Sequence, residues 1–393
     1  MFSRLPEGRL DTSRPSDYAY PFSNQDLRHS MKKNLILCLC SLIFALFILE
    51  IALLIVYPEP TLTPPGPKSD WALVPERVWT EHHPVLGWFH QKNKKAVLRL
   101  KQGETEININ SIGLRGTREY STRKPANVTR ILALGDSFVF GWGVRDDQTF
   151  SALIEKDHPR LEVLNFGVPG YGVDQILMTY RTLAKSFEAD YVLVHLFPED
   201  FWRATRAFSD TGHAKPYFLL TAGGKLQLRN VPVPQPFTLR TNQFPEIVEH
   251  SAFERVLLKS LTYRLAKQGF MRLGKNLKIV DPDSSDEWRL GRAILDNLIR
   301  EIRSDGAKPV LVLDPPERYI RATRQEALHK SVLRFAKKEN LPILDLTPVF
   351  RQAVNAADIT AYYIPDDWHW NAQGHELAAK SIIQFLQSLG LAA

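Results

Sequence analysis

Cysteine is scarce in this chain. Only Cys38 and Cys40 occur in 393 residues, and both fall inside an apolar stretch, which excludes a disulfide framework and a cysteine-based zinc site. No His/Asp group at ligand spacing replaces them. The adjacent pair His82-His83 is poorly arranged to chelate from one element and is expected at the surface, so neither a metal nor any other cofactor is expected. Also missing is a basic block interleaved with aromatic residues. The formal net charge of +7 is modest for this length, and nucleic acid is not an expected partner. The basic residues between Arg289 and Lys338 are expected on solvated helix faces. No internal repeat is evident.

What the chain has is one long apolar run, Asn34 to Tyr57. As a helix it spans roughly 36 Å, enough to cross a bilayer. Lys32 and Lys33 precede it directly, which predicts a cytoplasmic N-terminus and a later domain on the far side. Against a cleaved signal peptide stand the long leader, the length of the run, and Pro58-Glu59-Pro60 where a small-residue cleavage site belongs. Glu50 inside the span is expected either to meet a membrane partner protein or to reach the interface.

The segments around this run differ in character. Residues 1–33 are polar and carry Pro6, Pro15 and Pro21, the composition of a disordered cytoplasmic tail. Residues 34–57 form the anchor, and 58–70 form a stiff linker with five prolines. A small β-containing preamble follows over 71–125, with a hairpin predicted from the alternation in Ala96–Leu100 and Glu106–Asn110.

From residue 126 to 393 short apolar runs alternate with helical periods. Strands are predicted at Arg130–Leu134, Leu161–Asn165, Tyr191–Leu196, Pro309–Asp314 and Pro342–Leu346. Helices are predicted at Thr149–Lys156, Asp174–Lys185, Asp286–Ser304 and Glu317–Lys338. The pattern predicts a three-layer α/β/α domain on a five-stranded parallel sheet of flavodoxin-like order. Residues at about 203–285 break the rhythm and are expected to be an insertion over the sheet edge or the active-site mouth.

Ligands of such sheets bind beyond the C-terminal strand ends. Gly135-Asp136-Ser137-Phe138 lies there, after the first strand, and offers a hydroxyl on a tight turn. Asn165-Phe166-Gly167-Val168-Pro169-Gly170 follows the second strand, where a Gly170 N–H could point at a developing oxyanion. Near the C-terminus, Asp366-Asp367-Trp368-His369 sets an imidazole three residues after a carboxylate, ahead of the last helix. A hydroxyl becomes a good nucleophile only when a base takes its proton and a third group orients that base. His375 is expected to pack or cap the last helix. Taken singly, each segment is also an ordinary turn.

In order and context these segments resemble the SGNH/GDSL hydrolase superfamily, in particular its membrane-anchored bacterial members, over roughly Arg130 to the C-terminus. The lead-in Asn110–Gly116 is similar as well. The resemblance implies Ser137 as nucleophile, His369 as base and Asp366 as its orienting acid, with the N–H groups of Ser137 and Gly170 in the oxyanion hole. It further implies a side-chain donor from a Gly-x-Asn-Asp motif. This chain has Phe197-Pro198-Glu199-Asp200 there, and Glu199 takes the Asn position. Either a protonated Glu199 donates, or the loop turns it away and two donors remain.

The function implied is a serine esterase or O-acyltransferase acting through an acyl-enzyme on O-acyl (acetyl) esters of an envelope or extracellular glycan. The alternative is a catalytically impaired relative that binds glycan or organises a membrane assembly. Expected partners are an acylated glycan or small ester, and membrane lipid through the N-terminal helix. The expected location is the inner membrane, with the catalytic domain on the extracytoplasmic side. An α/β-hydrolase fits less well, because no Gly-x-Ser-x-Gly elbow surrounds Ser137.

Overall fold

The computed structural model describes residues 24–56, 78–209, 213–234, 247–257, 260–276, 282–321, 327–356 and 358–390. The linker at 58–70 and the tail up to residue 23 lie outside them. The chain falls into two compact units, Met1–Thr61 with Arg255–Gly269, and Leu62–Glu254 with Phe270–Ala393.

The larger unit is built on five parallel strands: β1 (Thr129–Gly135), β2 (Leu161–Gly167), β3 (Tyr191–Leu196), β4 (Lys308–Leu313) and β5 (Ile343–Asp345). Their order is β5-β4-β3-β1-β2, the flavodoxin-like order. The β1–β2 register sets Arg130 opposite Glu162 and Gly135 opposite Gly167. β1, β2 and β3 are almost wholly buried, which is why they are near-continuous apolar runs.

Successive residues go to opposite faces. Leu132, Leu134, Val192 and Val194 join Ile176 and Leu177 of the helix Val173–Thr182 and Ile294 and Leu298 of Asp286–Ser304. Ile131, Ala133, Leu193 and Val312 join Phe150 and Ile154 of the helix Phe150–Asp157, Phe350 of Leu346–Ala356, and Ile382 and Leu386 of Ala372–Ser388. This gives the three α/β/α layers. Truncating a central residue such as Leu193 to Ala is expected to cost about 2–5 kcal/mol.

Several local details differ from the sequence reading. The apolar helix begins at Asn24, ahead of the apolar run, because no glycine or proline interrupts residues 24–33. The predicted strand through Leu346 stops at Asp345, whose carboxylate accepts the Thr347 N–H (2.9 Å) and starts a helix. The long helix over 317–338 is described as two, Glu317–Arg321 and Ala327–Lys338.

The preamble has the expected hairpin, Lys95–Leu100 against Gly103–Asn108, and an unanticipated second one, Thr80–His83 against Gly87–His90. His82 and His83 are half-buried rather than surface residues. His83 Nδ1 accepts the N–H groups of Val85 and Leu86 and holds the turn between those strands. Between residues 203 and 285, a hairpin pairs Tyr217–Leu220 with Leu226–Arg229. Lys215 is fully buried and ion-paired with Asp174. Burial disfavours both charges, raising the Asp174 pKa and lowering that of Lys215.

Candidate active site

Ser137 opens the four-residue helix Ser137–Phe140 directly after β1. Asp136 caps this helix, with Oδ1 accepting the Phe138 N–H at 3.0 Å, and the next turn closes on Gly141 at φ 84°. Gly167, at the end of β2, lets the short helix lie directly against the strand. A Cβ on Gly167 would collide with the Phe140 amide nitrogen.

His369 comes from the opposite end of the domain. Its loop is a β-turn in which Ile364 accepts the Asp367 N–H at 3.0 Å, with Pro365 and Asp366 (φ 59°) at the centre. A turn with proline first and a positive φ second is type II, and aspartate tolerates that second position. The turn sends the Asp366 side chain outward. It is 78% exposed, and its nearest cation is Lys101 at 3.9 Å.

The sequence reading paired Asp366 with His369, and the structure corrects this to Asp367. Asp367 Oδ1 accepts from His369 Nδ1 at 2.5 Å and from the His369 backbone N–H at 3.0 Å. The Trp142 indole N–H donates to its other oxygen at 3.3 Å. Burial pushes the Asp367 carboxyl up, but the His369 hydrogen bonds and charge together with the indole outweigh it. The carboxyl ends below its ordinary value. An ionised carboxylate only accepts, so the proton lies on Nδ1 and Nε2 carries a lone pair. Nε2 is 2.8 Å from Ser137 Oγ, whose hydroxyl is placed to donate to it. Ser137 and His369 are both buried.

The N–H groups of Ser137 and Gly170 donate to no protein acceptor among the described residues. Gly170 has φ +81°, a conformation that a residue with a Cβ adopts only under strain. One carboxylate oxygen of Glu199 is ion-paired to Arg318. Its other oxygen is buried and meets no donor.

Other parts of the site had no single-motif signal in the sequence. Arg203 Nη1 donates to Asp136 Oδ2 (2.8 Å), to Asp200 Oδ1 (2.8 Å) and to the Tyr171 carbonyl (3.1 Å). It thereby joins the loops that follow β1, β2 and β3. Asp200 is fully buried, and burial and then the Asp136 charge hold its pKa well above the ordinary carboxylate value.

The preamble braces the same loops. Trp79 stacks on Phe140 (5.6 Å), and the Arg115 guanidinium lies over that ring (4.6 Å). The Trp88 indole donates to the Pro169 carbonyl at 3.2 Å, and the Tyr171 hydroxyl donates to the Trp88 carbonyl. The two Trp88 contacts join residues more than 80 positions apart, beyond the reach of any local pattern. His375 packs as expected. It is buried, its Nδ1 accepts the Phe150 N–H, and burial depresses its pKa to about 3.

Trp368 flanks the imidazole. Its ring lies 4.4 Å from that of His369, stacks on Phe197 at 5.0 Å, and is 38% exposed. No His/Cys/Asp/Glu group able to hold a metal occurs among the described residues. The arrangement can pass a proton from a serine hydroxyl to a neutral imidazole whose charged form a carboxylate stabilises.

The family model for GDSL-like lipases and acylhydrolases matches residues 133–377. A search of curated proteins found no match. Among solved structures, the chain is similar to the psychrotrophic esterase EstA from a Pseudoalteromonas species, at 12% identity and TM-score 0.38, over 66% of this chain and 98% of that one. It is similar to the lipase/acylhydrolase from Enterococcus faecalis, at 15% identity and TM-score 0.37, over 66% and 96%. It is also similar to a two-domain esterase active on acetylated mannans, at 14% identity and TM-score 0.37, over 66% and 49%. The sequence match spans the serine turn, the Gly170 loop and the His369 loop, and the chain belongs to the GDSL-like lipase/acylhydrolase family.

Proposed function

We propose that this protein is a membrane-anchored serine esterase or O-acyltransferase working on O-acyl esters of an extracytoplasmic glycan. One observation carries the reading: His369 lies between Ser137 Oγ and the Asp367 carboxylate, within hydrogen-bond reach of both. Ser137 Oγ attacks the acyl carbonyl as its proton passes to Nε2. Asp367 stabilises the imidazolium. The tetrahedral oxyanion takes hydrogen bonds from the N–H groups of Ser137 and Gly170. Collapse expels the sugar alkoxide, which takes the Nε2 proton, and leaves an acyl-Ser137. Water or a second hydroxyl, deprotonated by His369, then releases the acyl group as acid or as new ester.

With Glu199 bound to Arg318, the hole has two backbone donors, and a side-chain donor worth about 3–4 kcal/mol is missing. The exposed Trp368 beside the imidazole is a surface on which a sugar ring can stack. The anchor is the helix segment Met31–Leu53, 23 residues long and apolar enough to span a bilayer. The paired lysines before it direct the catalytic unit outward.

Turnover of p-nitrophenyl acetate tests the chemistry. The wild-type chain is expected to exceed Ser137→Ala by several decades, and equal rates refute catalysis. Glu199 favours a second reading, an inert glycan-binding relative. Covalent labelling of Ser137 by a fluorophosphonate excludes it, and its absence supports it. Glu199→Asn is expected to raise kcat if only a donor is missing. A fall assigns Glu199 a task of its own.

A further inference from the structure

The smaller unit contains a polar contact that neither the fold nor the chemistry explains. Glu50 lies near the C-terminal end of the apolar segment Met31–Leu53. Its Oε2 accepts the Ser260 hydroxyl at 2.9 Å and the Thr262 backbone N–H at 2.8 Å. Ser260 in turn accepts the Tyr263 N–H at 3.1 Å, the geometry of an N-cap. The carboxylate therefore sits at the positive end of the helix Leu261–Asn276, where its charge is favoured. Among the described side chains of residues 32–56, Glu50 and Leu53 alone are partly covered. They are one turn apart, so a single stripe of the apolar helix is touched there.

That contact fixes a depth. Whatever level Glu50 occupies in a membrane, Ser260 and Thr262 occupy too. Among the described side chains of the helix they start, the exposed ones are Leu265, Ala266, Gly269 and Phe270, which share one face at i, i+1, i+4 and i+5. All four are apolar, with Leu265 at 43% and Phe270 at 65% exposure, and a Cβ on Gly269 would meet open space. Val256, just before the helix, is 64% exposed as well.

We infer that the helix Leu261–Asn276 is an interfacial membrane helix, with its Leu265/Phe270 face in the headgroup–acyl boundary of the leaflet that Glu50 reaches. This rests on the reading of Met31–Leu53 as a bilayer span. The occupant of the face is lipid, because the helix N-terminus is bonded to a residue of the apolar helix itself. Glu50 is a clamp that sets the depth of this helix, which makes a membrane contact additional to the apolar segment.

The full-length chain in phosphatidylethanolamine/phosphatidylglycerol vesicles, free of other proteins, tests this. In a Cys38→Ser, Cys40→Ser background an environment-sensitive fluorophore is placed at Leu265→Cys, at Ile43→Cys in the anchor, or at Leu228→Cys on the insertion hairpin. Emission at position 265 should be blue-shifted in the vesicles and roughly halved by lipids spin-labelled near the headgroup, with position 228 unchanged in both respects. Deep quenching at 43 with 265 behaving like 228 overturns the inference and leaves the anchor standing. No quenching at 43 refutes the anchor and the inference with it. Shielding of 265 only after membrane proteins are added overturns lipid in favour of a protein partner. Glu50→Ala should weaken quenching at 265, and unchanged quenching refutes the clamp. Carbene labelling of the unsubstituted chain from a diazirine lipid should mark residues 261–276, and its absence counts against the helix whatever the variants do.

Discussion

Replacing Asp367 and Asp366 one at a time separates two adjacent carboxylates that a motif alone treats alike. Asp367 Oδ1 holds His369 Nδ1 at 2.5 Å and the His369 N–H at 3.0 Å, whereas the Asp366 side chain is 78% exposed at the tip of the turn. In Asp367→Asn the amide can meet Nδ1 with its NH2 group. The imidazole then carries its proton on Nε2 and faces Ser137 as a donor, unable to take the hydroxyl proton. Loss of the correct tautomer costs about four decades in kcat, roughly 5.5 kcal/mol. Asp366→Asn keeps a residue that tolerates φ 59° and removes only a solvated charge, so kcat should stay within about twofold. The assay is steady-state ester hydrolysis by both full-length variants, with circular dichroism confirming that each is folded. Equal damage from the two changes, or near-wild-type turnover by Asp367→Asn, refutes the proposed role of Asp367.

Trp142→Phe removes the indole donor to Asp367 Oδ2, and kcat should fall about tenfold, the value of one hydrogen bond to a charged group, with KM little changed. Lys215→Met leaves a buried, unpaired Asp174. The chain should lose about 3–5 kcal/mol in thermal or urea unfolding, and adding Asp174→Leu should restore much of it. His90 is fully buried, and burial lowers its pKa to about 4. Below its ordinary value of 6.5 the unfolded chain binds a proton that the folded one refuses, so stability is full above pH 6.5 and falls as pH drops toward 4. The loss reaches up to about 3 kcal/mol, and His90→Gln should flatten that part of the stability–pH curve.

The sheet was legible because each parallel strand, covered on both faces, leaves an unbroken apolar run, and because helical periods separate the runs. The places of Ser137 and His369 were legible for a related reason. One follows a strand end and the other precedes a terminal helix, so the topology carries both to one edge. The choice between Asp366 and Asp367 was not. It depends on a turn in which Pro365 takes the first central position and Asp366, the second, adopts a positive φ, and a spacing count does not weigh that. With hindsight, the Pro365-Asp366 pair held the signal. The destination of Glu199 was illegible for another reason, since its partner Arg318 lies 119 residues away. The same is true of Arg203 with Asp136, and of Lys215 with Asp174: buried charges choose partners by proximity in space.

The packing of Trp79, Arg115 and Trp88 against the serine and Gly170 loops bears on how the enzyme can be trimmed. Starting a recombinant fragment at residue 126, just ahead of β1, would strip the aromatic ring from Phe140, the guanidinium from above it, and the indole from Pro169. The remaining residues would still include Ser137, Asp367 and His369, on loops no longer propped. A shortened chain therefore has to begin upstream of Trp79, because the segment ahead of β1 carries part of the scaffold under the Ser137 turn.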